Sequence, residues 1–270
     1  MKRKKTRRQS LIPLLPNLLT TGNLFFGLLS IMTSIQIVAL RGLGDVSGEW
    51  VYRKFSWASA FIAIAAVLDF FDGKLARALK SETSFGLSYD SLSDLVSFGV
   101  APGVLMYSWV LIDSGKLGLM VVLFYIVCTA LRLARFNVQS KTVEKFGFKG
   151  LPSPMAAGLV YSPIMLFSAI LSSPDEKVMW FYLVVAPFAG LLMVSDIPYW
   201  KYPRFRFWGP FNALVVASII ITAVVTNPEI AIISVVYLYC LLGLVFYLIR
   251  QLRKKTAPVV DELESRETHL

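Results

Sequence analysis

The chain has 270 residues, of which 56% are hydrophobic and only 16% charged; soluble domains run at about 45–50% apolar and about 25% charged. Its net charge of +10 is spread between apolar stretches and does not form one basic domain, which argues against nucleic acid as a partner and for topology signals that also attract anionic lipid. Two cysteines, each inside an apolar stretch, and a single histidine, His269 in the polar tail, exclude a disulfide framework, a thiolate or imidazole metal site and any histidine-based triad.

Along the chain, Met1–Arg8 carries Lys2, Arg3, Lys4, Lys5, Arg7 and Arg8, and a long apolar run follows from Leu11 to Leu40. That run is too long for a secretory signal, and no small-residue cleavage site follows it. Apolar stretches of spanning length then recur to the end. Eight spans are expected, roughly 14–40, 55–79, 85–112, 117–137, 153–172, 178–195, 209–226 and 230–250, with breaker pairs such as Ser114-Gly115, Ser173-Pro174, Tyr202-Pro203 and Asn227-Pro228 in the gaps. The expected fold class is therefore all-α, a polytopic integral membrane helix bundle of about eight transmembrane helices. Residues 1–10 form a basic segment, 11–250 the membrane domain, and 251–270 a charged tail that is disordered or a short surface helix.

Orientation follows from Lys and Arg. If the N-terminus faces the cytoplasm, only Arg41, Arg53, Lys54, Lys116 and Lys177 of the 27 basic residues fall outside. Both termini are thus expected in the cytoplasm.

Spans two and three contain acids where a membrane helix tolerates them least. Asp69 and Asp72 follow the apolar run Phe61–Leu68, and Asp90 and Asp94 precede Leu95–Leu105. A lone carboxylate in apolar surroundings costs several kcal/mol or takes up a proton. Spacing sharpens the case. Asp69, Asp72, Gly73, Ala76 and Arg77 share one helical face, as do Gly86, Asp90 and Asp94. With a short polar turn between the two helices, the four carboxylates converge near the cytoplasmic end. Four carboxylates without nearby His or Cys make a hard, all-oxygen site that selects Mg2+, Mn2+ or Ca2+. Two such ions, about 3.5–4 Å apart, suit displacement at phosphorus. Gly73, Ala76 and Gly86 serve either close helix packing or room for a ligand. A cation transporter with a buried acidic site is the rival from another class; Arg77, one turn from Asp72, suits an anionic ligand better.

The pattern Asp69-x-x-Asp72-Gly73-x-x-Ala76-Arg77, eight residues, then Gly86-x-x-x-Asp90-x-x-x-Asp94 resembles the signature of the CDP-alcohol phosphatidyltransferases. The resemblance implies that Asp69, Asp72, Asp90 and Asp94 bind two Mg2+ or Mn2+ ions and that Asp94 is the catalytic base. Gly73, Arg77 and Thr83 match positions that contact the CDP-lipid, with Ala76 and Gly86 on the same faces. Pro16-Asn17-Leu18-Leu19-Thr20 resembles the first-helix segment lining the nucleotide pocket, which adds Asn17 and Thr20.

Pro16–Ser30, Ala130–Ala157 and Ser195–Pro203 further resemble the serine-accepting branch of that family, except that Trp200 stands where a proline is expected. The resemblance implies transfer of a phosphatidyl group from CDP-diacylglycerol to serine, with release of CMP, by a homodimer in a prokaryotic cell membrane. The same fold with glycerol phosphate, inositol phosphate or a lipid alcohol as acceptor is the alternative. Selecting serine calls for a cation to meet its carboxylate, preferably an arginine fork. Arg132 and Arg135 are the candidates, with Lys149 and Lys201 in later inner loops and Asn137 for the ammonium.

Overall fold

The computed structural model describes residues 14–42, 47–79, 83–140, 150–170, 176–197, 199 and 227–267, with scattered positions between 212 and 226. The expected seventh span, 209–226, therefore falls largely outside the described residues, as do Lys149 and Lys201. The described elements are α1 (Leu14–Gly42), α2 (Gly48–Ala78), α3 (Ser84–Asp94), α4 (Ala101–Trp109), α5 (Lys116–Ser140), α6 (Ser153–Ile170), α7 (Glu176–Val194) and α8 (Pro228–Glu267). Among these residues the fold is all-helical.

Among the described residues, five helices are long and apolar enough to cross a membrane: Leu15–Gly42, Gly48–Ala78, Lys116–Val138, Glu176–Val194 and Pro228–Ile249. A shorter apolar helix, Ser153–Ser168, adds to them. Large apolar side chains face outward along them, among them Leu18, Phe25, Met32, Trp57, Met120, Val184 and Leu241. Outward apolar faces have no place in water but match a lipid solvent. The protein is an integral membrane protein.

Three boundaries differ from the sequence expectation, each for a local reason. α2 begins at Gly48, a full two turns before residue 55, because the charges that read as loop are satisfied on the helix. Arg53 pairs with Glu49 one turn back at 2.6 Å, and Lys54 lies 5.3 Å from the Trp50 ring centre. At the other end, α8 continues to Glu267 through the charged tail, a stretch rich in the strong helix formers Leu, Arg, Lys and Glu.

The third difference matters most. The expected span 85–112 is helical to Trp109 but broken by one wide turn, Leu95–Val100, between α3 and α4. Here the Ala101 N–H reaches back five residues to the Val96 carbonyl. The next residue, Pro102, has no N–H to offer the Phe98 carbonyl. Tyr125 of α5 donates its hydroxyl to Phe98 O at 2.8 Å instead. The device recurs in α6: Pro163 leaves the Leu159 carbonyl without its helical donor, and the Tyr237 hydroxyl of α8 donates to it at 3.2 Å. Tyrosine hydroxyls thus satisfy proline-freed carbonyls where no water could.

α1 packs along α2 and also meets α3, the wide turn and α4. Its inward stripe is small and polar: Thr20, Asn23, Gly27, Ser30 and Ser34 are all buried. Gly27 is required at its place, since a Cβ there would run into Ser97. Close approach of this kind drives helix association in lipid, where apolar contact alone does not. Below, Trp109 stacks near Phe167 and meets the Tyr182 ring edge-on, closing the apolar core.

Candidate active site

α2 and α3 deliver the acids as their helical spacing requires. Carboxylate oxygens of Asp69, Asp72 and Asp90 all lie within 4.8 Å of one another. Asp94, one turn beyond Asp90, is buried and contacts Asp69. The end of α2 and the start of α3 are joined by residues 79–83, and Thr83 caps α3 by accepting from the Gly86 N–H at 3.0 Å. The cap sets the start of α3, and with it the azimuth of Asp90 and Asp94.

α1 holds two of these carboxylates from the side. Thr20 donates to Asp72 Oδ2 at 2.8 Å, and Asn23 donates through Nδ2 to Asp94 Oδ1 at 3.2 Å. The same two residues accept from α3 and the wide turn through their backbones: Ser93 Oγ donates to Thr20 O, and Ser97 Oγ to Asn23 O. α1 is thereby bonded both to the carboxylates and to the helix that carries two of them. Side-chain donors of this type fix the orientation of metal-ligating groups.

The donor set fits a divalent cation. It offers oxygen only, as Mg2+, Mn2+ and Ca2+ prefer. Asp90 Oδ1 is also buried without any hydrogen-bond partner, and a buried carboxylate oxygen without a donor is costly unless a cation takes it. Asp69, Asp72 and Asp90, with Asp94 adjoining, could hold such an ion.

Around this centre the other expected residues take different places. The Asn17 side-chain oxygen lies 3.2 Å from where a Cβ on Gly86 would stand, and Thr83 Oγ1 3.1 Å from it. A side chain at 86 would therefore fill the space between α1 and α3. Gly73 and Ala76 are half-buried on the α2 face that carries the acids. Arg77 is exposed and donates through Nε to Gly73 O at 2.9 Å. That bond lays its guanidinium along the same face.

The two candidate arginines part company. Arg132 is half-buried, with its charge within electrostatic reach of Asp94 and Asp69. Its Nη1 donates to Ser153 Oγ at 2.9 Å, while its buried Nε has no partner. Arg135 points instead to the end of α7, donating to Val194 O at 3.1 Å and pairing with Asp196. There the Gly150–Leu151 segment docks as well, through Gly150 N to Ile197 O at 2.8 Å and Leu151 N to Leu192 O at 3.0 Å. Gly150 adopts φ 85°, which favours glycine. Asn137 meets Ser91 of α3 at 3.0 Å.

Sequence reasoning missed Asn23, Ser93 and Ser97 as parts of this site. The signal was present: Thr20, Asn23, Gly27, Ser30 and Ser34 recur at three- and four-residue steps through an otherwise apolar helix, a polar seam that lipid would not tolerate on its own side.

A bundle of membrane helices with an acidic cluster compatible with a divalent cation, carried on two successive helices, is the frame of a membrane-embedded site for an ion and its ligand. The chain belongs to the CDP-alcohol phosphatidyltransferase family, whose model matches residues 13–194. A Helicobacter pylori protein named CDP-diacylglycerol–serine O-phosphatidyltransferase is 30% identical over 239 residues, spanning 87% of this chain and 91% of its own. Proteins of the same name from Methanocaldococcus jannaschii and Bacillus subtilis are 33% and 34% identical, covering 70% and 56% of this chain and 83% and 79% of theirs.

Proposed function

We propose that this enzyme transfers the phosphatidyl group of CDP-diacylglycerol to the hydroxyl of serine, giving phosphatidylserine and CMP. The observation that carries it is the convergence of Asp69, Asp72 and Asp90, with Asp94 beside them, in an otherwise apolar bundle. The names of the similar proteins support serine as the acceptor.

In this reading Asp69, Asp72, Asp90 and Asp94 hold two Mg2+ or Mn2+ ions. Bound there, such ions neutralise the pyrophosphate and the charge that develops on it. Everything else falls to the chain. Asn17, Thr20, Thr83 and Arg77 surround the CDP moiety, and Gly73, Ala76 and Gly86 leave it room. The serine oxygen forms its bond to the phosphorus that bears diacylglycerol as the bond to the CMP oxygen breaks. Asp94 accepts the hydroxyl proton as it is released, because an alcohol is too weakly acidic to ionise beforehand. Asn23 keeps Asp94 aimed, and Arg132 is placed to meet the serine carboxylate. The acyl chains stay in lipid beside the exposed apolar faces, which is why the reaction belongs inside a membrane protein. The Lys and Arg distribution supports a cytoplasmic site, with both termini on that side of a prokaryotic cell membrane.

The test is CMP release by the purified chain with CDP-diacylglycerol and Mn2+ or Mg2+, comparing serine with glycerol 3-phosphate. Faster release with serine, accompanied by phosphatidylserine, is expected. Faster release with glycerol 3-phosphate would overturn the acceptor while leaving the site in place.

A further inference from the structure

Buried polar atoms in folded proteins nearly always have partners. Among the described residues, three that lack one fall on or around the carboxylate cluster: Asp90 Oδ1, Arg132 Nε and Asn23 Oδ1. A divalent cation accounts for the first, and an anionic substrate group for the second. The third is an acceptor, so an anionic group cannot satisfy it and a cationic donor can. Asn23 has no solvent exposure. Its amide orientation is fixed by its neighbour, since only the NH2 end can face the Asp94 carboxylate at 3.2 Å. Its oxygen is therefore an acceptor in search of a donor, next to an anion.

We infer that Asn23 Oδ1 receives the ammonium group of the acceptor substrate, and that Asn23 thereby selects amino alcohols over alcohols that carry only anionic groups. The inference rests on the proposed phosphatidyl transfer to serine and adds a subsite to it. Chemistry and spacing agree. In serine the ammonium and the hydroxyl sit on adjacent carbons, so the acceptor of one and the base for the other must be neighbours. Asn23 and Asp94 are hydrogen-bonded neighbours. A neutral amide oxygen beside a carboxylate suits an ammonium, whereas a phosphate or carboxylate there would meet two acceptors. Arg132, whose charge acts on the same Asp94, stands ready for the opposite end of the zwitterion.

Two inhibitors separate the subsites on the full-length enzyme with CDP-diacylglycerol and Mn2+. L-Alanine has the ammonium and the carboxylate; 3-hydroxypropionate has the hydroxyl and the carboxylate but no ammonium. Asn23→Leu keeps the size of the side chain and removes its polarity. It should raise the serine KM and the alanine Ki about 10- to 100-fold, the loss expected when a hydrogen bond to a charged group goes. The 3-hydroxypropionate Ki should stay within about twofold. Equal rises for both inhibitors would mean that Asn23 only shapes Asp94, and no rise would mean that it touches no substrate; either result overturns the inference. If Asn23→Leu does not fold, judged by its melting and its KM for CDP-diacylglycerol, Asn23→Asp carries the test. It keeps an acceptor oxygen and should preserve or increase the preference for alanine over 3-hydroxypropionate; a fall in that ratio refutes the subsite. Preference of the wild-type enzyme for glycerol 3-phosphate would instead remove the serine reading, and is measured separately.

Discussion

The Tyr125 hydroxyl donates to the Phe98 carbonyl at 2.8 Å, standing in for the N–H that Pro102, four residues on, cannot supply. The bond spans from α5 to the wide turn that directly follows Asp94. Tyr125→Phe should destabilise the protein by about 1 kcal/mol, between the average of about 0.6 and the maximum of about 1.7 kcal/mol for hydrogen bonds between membrane helices. In a Pro102→Ala background the backbone regains its donor, so the same change should then cost less than half as much. Thermal unfolding of the four proteins in detergent measures this coupling. An undiminished loss in the Pro102→Ala background would show that the hydroxyl does not replace the missing N–H.

Removal of one acid should differ in kind from removal of its support. Asp69→Ala, Asp72→Ala or Asp90→Ala each takes one oxygen ligand from a cluster 4.8 Å across, and should lower turnover by orders of magnitude at every Mn2+ concentration. Thr20→Val takes away no carboxylate; it removes the hydroxyl that donates to Asp72 at 2.8 Å, with the Pro16 carbonyl 3.1 Å away. It should raise the Mn2+ concentration for half-maximal activity about 10- to 100-fold, as loss of a ligand's supporting hydrogen bond does, with activity recovered at saturating metal. EDTA should abolish activity in both wild type and Thr20→Val, and titration of metal back into each protein separates the two cases.

The carboxylates were legible in the sequence because a membrane context makes acids at 69, 72, 90 and 94 costly, and the 3.6-residue period sets each pair on one helical face. The wide turn was not legible. Pro102 read as a residue within one span, and its effect depends on a tyrosine 23 residues later. The division between Arg132 and Arg135 was equally hidden: one turn apart on α5, they look equivalent until α6 brings Ser153 to one and the end of α7 brings Asp196 to the other. The early start of α2 was missed because Arg53 and Lys54 read as loop, although Glu49 stands four residues before Arg53, the spacing of a helical ion pair.

Sidedness can be checked by labelling. Cys128 and Cys240 are buried, so introduced cysteines dominate the reaction with a polar thiol reagent. A cysteine at Asp113, beside the turn before α5, should react from outside intact cells. One at Val138, at the other end of α5, should react only after the reagent gains the cytoplasm. The reverse pattern would invert the topology and place the acidic cluster away from the cytoplasm that supplies serine and receives CMP.

Arg132 and Arg135 should separate cleanly as variants. Arg132 carries a buried Nε without a partner and acts electrostatically on Asp94 and Asp69, the disposition of a residue that waits for an anion. Arg132→Ala should raise the serine KM far more than the KM for CDP-diacylglycerol, because acceptor binding is lost while the CDP contacts stay. Arg132→Lys should restore little, since a point charge cannot reproduce the planar fork. Arg135 is already engaged by Asp196 and Val194 O, and Asp196 is well exposed. The pair is thus worth at most about 1 kcal/mol, and its role is to hold the segment after α7 against α5. Arg135→Ala should lower stability slightly and leave the ratio of the two KM values near that of the wild type. Asp196→Asn should reproduce that small loss, and the double variant should add little to either single change. A serine KM that rises as much for Arg135→Ala as for Arg132→Ala, with Asp196→Asn silent, would return both arginines to the acceptor site.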